Sequence, residues 1–305
     1  MSILVLGSLN MDLVARVSQL PKPGETLIGQ AFETIPGGKG ANQAVAAAKL
    51  GAPTQMIGRV GPDGFGETLR RELQKIGVAV DAVSIDPVAP SGVALIAVAQ
   101  TSENQIIVVP GANHCVDDVE LSALSAQLPK AQALLLQFEI SHPVVVAAAK
   151  LAHQAGVPVI VDPAPARSAL SPDFYAHIDI LTPNQVEASQ LVGFEVCDRS
   201  TAAQAAQVLR QRGVNTVIVK LGKQGVVVDT LATCFEIPAF PVEAVDTVAA
   251  GDAFNGGLAV ALAEGRPLKD AVTFASAVAA LSVTRPGAQP SMPARFEVDH
   301  FLKQA

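Results

Sequence analysis

The chain opens on a continuous apolar run over residues 3–6, and short runs of similar character return at 56–60, 133–137, 157–161, 178–181 and 216–220. Runs this short without polar alternation predict strands covered on both faces, as in a parallel sheet. Between them, apolar residues recur at helical spacing over 44–50, 65–76, 143–154, 185–191 and 202–211, with Gly51 closing the first helix. The alternation predicts an α/β protein with a mostly parallel central sheet and helices on both faces. Two segments break the rhythm. Residues 13–36, with Val14, Val17 and Leu20 before Pro21-Lys22-Pro23-Gly24 and Thr26-Leu27-Ile28-Gly29 after it, read as short strands around a turn. Residues 91–100 and 105–110 form a second such pair, joined by Thr101-Ser102-Glu103-Asn104. These pieces, about 13–36 and 91–110, predict a small β lid or dimer surface on a single domain spanning 1–305.

Composition narrows the partners. A net charge of −7 argues against nucleic acid or an anionic membrane. No apolar run reaches membrane-spanning length, and Met1 to Gly7 lack the basic start and long apolar stretch of a signal peptide. Cys115, Cys197 and Cys234 are scattered and form no CxxC pair, so they read as reduced small hydrophobes. A cytoplasmic protein is expected. The five histidines make no HxH or HxxxH pattern.

Candidate chemistry concentrates in Val245-Asp246-Thr247-Val248-Ala249-Ala250-Gly251-Asp252-Ala253-Phe254. From Phe254 onward the pattern is helical, which places Ala249, Ala250 and Gly251 at a helix start. Unpaired amides and the positive end of the macrodipole bind anions there. Asp252, in the first turn, is placed to take a proton from a hydroxyl attacking such an anion; the plainer reading is an ordinary helix start. Polar residues also collect where predicted strands end: Asn10 and Asp12, Glu139, Asp162, then Asn184 with Glu187. Ligands of open α/β sheets sit at that edge. Each has a local alternative, since Asn10 and Asp12 could cap a turn and Glu139 could cap the helix beginning near His142-Pro143. Pro36-Gly37-Gly38-Lys39-Gly40-Ala41-Asn42 could be a glycine turn before a helix, but that does not account for Lys39 and Asn42. Lys220-Leu221-Gly222-Lys223-Gln224-Gly225 reads first as a glycine hairpin. The 284–291 loop, rich in Pro and Gly, is stiff enough to wrap a site.

Some classes are excluded. There is no GxxxxGK[ST] loop, no GxGxxG after the first strand and no GxSxG elbow.

The chain resembles the ribokinase-like family of sugar kinases, of the phosphofructokinase-B type. The residues that carry the resemblance are Gly7-Ser8-Leu9-Asn10-Met11-Asp12, Gly37-Gly38-Lys39-Gly40-Ala41-Asn42-Gln43-Ala44 and Asp162-Pro163-Ala164-Pro165-Ala166-Arg167. They continue in Thr182-Pro183-Asn184 with Glu187, Asp246-Thr247 through Gly251-Asp252-Ala253-Phe254, and Thr284-Arg285 to Gly287-Ala288-Gln289-Pro290-Ser291. The resemblance implies a three-layer sandwich with a β lid that forms a homodimer interface, and an ATP-dependent kinase. It places the sugar against Asn10, Asp12, Gly38, Lys39, Asn42 and Glu139. Asp252 becomes the general base and Ala249, Ala250 and Gly251 the anion hole. The resemblance puts Asn184, Lys220, Leu221, Gly222, Lys223, Gln224, Gly225, Gly251 and Ser276 along the nucleotide, and Glu187 on Mg²⁺ through water. An activating K⁺ would lie among Asp246, Val248, Ser282, Arg285, Gly287 and Ser291. Two positions depart from the pattern: Gln185 where a second Glu is common, and Ser276 where His or Asn is expected near adenine. D-Ribose, phosphorylated at its 5-hydroxyl, is the leading acceptor. Glu139 would repel a sugar phosphate, and with one Tyr, no Trp and 11 Phe the chain is poor in the aromatics that stack a nucleoside. 2-Deoxyribose, or another sugar or nucleoside, is the alternative within the family. A catalytically silent sugar-binding protein is the alternative from another class, against which the retained Gly251 and Asp252 speak.

Overall fold

The structure is a computed structural model and describes residues 2–101, 103–167 and 170–304; Ser102 of the expected 101–104 turn lies outside these. Thirteen strands are present among them: β1 (Ser2–Leu6), β2 (Asn10–Val17), β3 (Ala31–Gly37), β4 (Thr54–Val60), β5 (Ala79–Ile85), β6 (Gly92–Ala99), β7 (Asn104–Val109), β8 (Ala131–Leu136), β9 (Val159–Val161), β10 (Ile180–Leu181), β11 (Thr216–Lys220), β12 (Val226–Thr230) and β13 (Cys234–Ile237). The helices are α1 (Lys39–Lys49), α2 (Gly64–Ile76), α3 (Asp118–Gln127), α4 (His142–Gln154), α5 (Pro172–Tyr175), α6 (Gln185–Val192), α7 (Arg199–Gln211), α8 (Ala250–Ala263), α9 (Leu268–Ser282) and α10 (Arg295–Gln304).

Nine strands form one sheet in the order β13-β12-β11-β10-β9-β8-β1-β4-β5. Neighbours from β11 to β5 run parallel, and β12 and β13 add antiparallel at one edge. Alternation along each strand splits the core in two. Ile3, Val5, Ala133, Leu135, Ile160 and Ile218 pack with the helices that include α1 and α8, whereas Leu4, Leu6, Leu134, Leu136, Val159 and Val161 pack with those that include α4 and α7. Both faces are therefore covered, as the continuous apolar runs require.

The lid is a four-stranded sheet ordered β3-β2-β6-β7. The second expected hairpin stands as β6 and β7, paired antiparallel. The first is corrected: residues 26–29 form no strand, and β2 instead pairs with β3 from Asn10 opposite Gly37 to Arg16 opposite Ala31. Side-by-side residues project to one face, so Asp12 shares its face with Ala94 and Val108, and Val14 with Ile96 and Ile106. Beyond Asp12 that face carries an exposed apolar patch, with Ile106 54% and Val108 47% exposed, beside Glu33 opposite Val14.

α1 begins five residues earlier than the apolar pattern indicated. Gly38 caps it at φ 90°, and a Cβ there would come within 2.7 Å of the Asn10 amide nitrogen. A Cβ at Gly40 would meet the Gly7 carbonyl carbon and the Ser8 nitrogen at 2.7 Å. These glycines serve close backbone crossing rather than flexibility. Strands β5 and β13 and helices α3, α5, α9 and α10 were not anticipated from the pattern. None of the described helices is long and apolar enough to cross a membrane.

Candidate active site

α8 starts from Ala249, whose backbone is left-handed at φ 59° and ψ 12°; it is the sole non-glycine with positive φ among the described residues. Such a conformation costs energy for a residue with a Cβ and persists where the surroundings impose it. A left-handed residue followed by helical ones turns successive amides toward one concavity, which suits an anion. The first full helical bond of this turn runs from the Ala253 amide to the Ala249 carbonyl at 2.9 Å, so the amides of Gly251 and Asp252 precede it.

Asp252 is buried, in the third helical position. Asn42 Nδ2 donates to its Oδ2 at 3.0 Å and Gln43 Nε2 to its Oδ1 at 3.1 Å. Burial raises its carboxyl to about 6, with Asp162 adding repulsion, while Lys39 and the two amide donors pull it down. A carboxylate near 6 is a competent base at neutral pH.

On the lid side, one oxygen of Glu139 collects three donors: Ser8 Oγ at 2.5 Å, the Lys39 amide at 3.1 Å and Asn10 Nδ2 at 3.4 Å. Glu139 therefore binds the backbone crossing rather than capping α4. Asn10 Oδ1 accepts from Asn113 Nδ2 at 2.7 Å, and Asn113 also bonds both backbone groups of Leu9. Burial pushes Asp12 up to about 7, with Glu139 and Asp252 contributing. Asn42 Oδ1 is buried without a partner, the kind of group a bound hydroxyl would satisfy.

On the other side lies a cavity of about 640 Å³. Asn184, Glu187, Lys220, Gly222, Lys223 and Gly225 line one part, and Ala249, Ala250, Gly251 and Ser276 another. Lys39 and Asp252 line it too, so they stand at the junction of the polar lid side and the cavity. Burial opposes the charge on Lys39, but Asp252, Asp162, Glu139 and Glu187 outweigh it and hold the ammonium above its ordinary range. Lys220 Nζ lies 3.0 Å from Asp162 Oδ1, and a Cβ at Gly251 would sit 3.2 Å from that ammonium. Ser276 Oγ is buried and unpartnered.

Two expected nucleotide residues are placed elsewhere. Leu221 is buried in the apolar core, and Gln224 Nε2 turns to the Cys197 carbonyl at 3.2 Å. Asn184 and Glu187 line the cavity while forming a reciprocal cap: Asn184 Oδ1 accepts from the Glu187 amide at 2.9 Å, and Glu187 Oε2 from the Asn184 amide at 2.8 Å. Burial and Asp162 raise the Glu187 carboxyl, with Lys220 opposing. In the expected cation segment, Asp246 accepts from the Val248 amide at 3.0 Å and the Gly287 amide at 2.9 Å. The hydroxyls of Ser282 and Ser291 donate to the carbonyls of Ala279 and Ala288, and Arg285 pairs with Glu297. Their side chains are thus engaged, and the Ser282 carbonyl also accepts from the Arg285 amide at 3.2 Å.

Three central residues had no role assigned from the sequence: Gln43, Asn113 and Gln137. Gln43 adjoins Asn42 in the glycine motif, and Asn113 follows Pro110-Gly111, a turn after a strand. Both were legible as polar residues among small ones. Their burial, at 0% and 1% exposure, was not.

A buried carboxylate in the first turn of a helix, between a cluster of buried polar groups and a large cavity, fits a phosphotransferase of the α/β class. The chain belongs to the pfkB family of carbohydrate kinases, whose profile matches residues 1–295. It is 42% identical over 301 residues to a ribokinase of Haemophilus influenzae, covering 99% of this chain and 98% of that one. It is 37% identical over 302 residues to a deoxyribokinase of Salmonella typhimurium, covering 99% of each. The solved structure of Arabidopsis thaliana ribokinase complexed with ribose and ATP superposes with a TM-score of 0.92 at 36% identity, covering 99% of this chain and 98% of that one.

Proposed function

We propose that this enzyme transfers the γ-phosphoryl group of ATP to the 5-hydroxyl of D-ribose, giving ribose 5-phosphate and ADP. The observation that carries this reading is the place of Asp252, buried between the lid-side polar residues and the cavity and in the first turn of α8. Asp252 accepts the proton of the attacking hydroxyl, held by Asn42 and Gln43. Asn10, Asp12, Gly38, Lys39, Asn42 and Glu139 orient the sugar. The Ala250 and Gly251 amides, with Lys220 beside them, balance charge as it develops on the transferred group. Phosphoryl transfer needs this alignment and charge balance more than covalent help.

No group of three or more His, Cys, Asp or Glu side chains among the described residues could hold a metal. Glu187, close to Asp162, is the carboxylate that would hold Mg²⁺ through water, and the ion would neutralise charge on the phosphates. Asp246 and neighbouring carbonyls, a donor set of single charge, suit K⁺ better than a divalent ion. KCl should then activate over NaCl, and Asp246→Ala should abolish the difference. The open apolar lid face would pair with that of a second copy. Three free cysteines and the use of ATP fit a cytoplasmic enzyme.

The test is ADP release with Mg-ATP and KCl against ribose, 2-deoxyribose, fructose, fructose 6-phosphate and adenosine. Preference for ribose supports the reading. Preference for 2-deoxyribose, the alternative suggested by the deoxyribokinase relative, keeps the mechanism and moves the acceptor. No turnover with any acceptor overturns it in favour of a silent binder.

A further inference from the structure

Gln43 touches both acids at the centre of the site. It is fully buried in α1, beside Asn42. Its Nε2 donates to Asp252 Oδ1 at 3.1 Å and to Asp162 Oδ2 at 3.2 Å. Its Oε1 accepts from Nε2 of Gln137, also fully buried, at 2.6 Å. Chemistry dictates this orientation. Ionised carboxylates only accept hydrogen bonds, so the NH₂ end of the amide must face the two acids and its oxygen must face Gln137. One N–H serves each acid. Asp162 in turn accepts from Lys220, whose ammonium lies beside Gly251. An unbroken set of contacts thus joins the base to the cation at the start of α8.

Resting on the sugar-kinase reading, we propose that Gln43 is a positioning residue: it holds Asp252 in the orientation that accepts the sugar proton and ties that orientation, through Asp162, to Lys220 at the anion hole. The charged groups facing Asp252 are Lys39 from α1, Asp162 after β9 and Asp12 from β2. Without the shared donor, Asp252 and Asp162 repel each other directly, and Asp252 is left with Asn42 and the pull of Lys39. Its carboxylate then rotates away from the acceptor hydroxyl and takes up a proton more readily.

The experiment compares the full-length wild type with Gln43→Met, which keeps the volume and removes both donors, and Gln43→Glu, which places a third acid between the two. Steady-state kinetics with ribose and Mg-ATP across pH is the readout. Gln43→Met should lower kcat about 10- to 100-fold with the KM for Mg-ATP nearly unchanged. The acidic limb of the kcat/KM profile should move to higher pH, and further in Gln43→Glu. In an Asp252→Asn background, Gln43→Met should change the residual single-turnover rate by less than about twofold, because the carboxylate through which it acts is gone. Wild-type kcat and an unmoved acidic limb in folded Gln43→Met overturn the proposal, as does an undiminished effect in the Asp252→Asn background. If Gln43→Glu does not fold, Gln43→Met and the double variant decide alone. A wild type without sugar-dependent turnover overturns the kinase reading and this proposal together; active wild type with unaltered variants overturns this proposal only.

Discussion

Asn42 Nδ2 donates to Asp252 Oδ2 at 3.0 Å, joining residues 210 positions apart and bringing the start of α1 to the start of α8. The helices can approach this closely because Gly256 lacks a side chain; a Cβ there would sit 2.5 Å from that of Ala46. Asp252 is therefore held from across the molecule, and its replacement separates chemistry from folding. Asp252→Asn should keep the circular dichroism spectrum and lower kcat by about 10²–10⁴. Turnover near that of the wild type would remove Asp252 as the base.

Protonation should move activity and stability in opposite directions. The folded-state values of Asp252, about 6, and Asp12, about 7, lie above the ordinary carboxyl value of 3.8. The folded protein then binds more protons than the unfolded chain between 3.8 and about 7, so stability from these groups is full below that window and is lost as pH rises through it. The rate should instead rise with pH as Asp252 ionises. Thermal unfolding of the ligand-free protein and kcat/KM, measured over the same pH series, check both signs; parallel trends would contradict the assignment.

Lys220 and Asp162 form a largely buried pair at 3.0 Å, with side-chain exposures of 14% and 2%. Lys220→Met removes a cation from beside Gly251 and leaves Asp162 without its charged partner, with only the Gln43 amide still donating to it. Unfolding should become easier by about 3–5 kcal/mol, the usual cost of breaking such a pair, and kcat should fall. Adding Asp162→Asn should restore much of the stability but not the rate. Recovery of both would mean the pair is structural only.

The lid carries Asn10 and Asp12 on the strand that also bears Val14, whose face continues through Ile96 and Ile106. If the proposed lid-to-lid pairing forms, Ile106→Lys should convert that dimer to a monomer in sedimentation velocity. It should also raise the KM for ribose while leaving that for ATP, because an unsupported lid holds the sugar side less well. An unchanged sedimentation coefficient would place any interface elsewhere.

Much of this molecule was legible in the chain alone. Continuous apolar runs determined the covered parallel strands, since a strand with helices on both faces has no polar face to show. Small residues ahead of Asp252, followed by helical spacing, determined a helix start with open backbone amides, the feature proposed to bind an anion. The glycine motif with Lys39 and Asn42, and the polar residues at strand ends, marked where ligand groups would gather.

Tertiary structure decided the rest. The apolar pattern could not reveal that α1 begins at Lys39, because its first turn is polar and is held by close crossing with the Gly7–Leu9 backbone. Nor could it separate Lys223 and Gly225, which line the cavity, from Leu221 and Gln224, which turn away, because side-chain direction in a tight turn depends on what packs behind it. Gln43 and Asn113 looked like ordinary polar neighbours of small residues. Their roles come from being buried with acceptors contributed by distant segments, and sequence spacing carries no information about that. The chain specified the groups; folding determined which of them meet where no water competes for their hydrogen bonds.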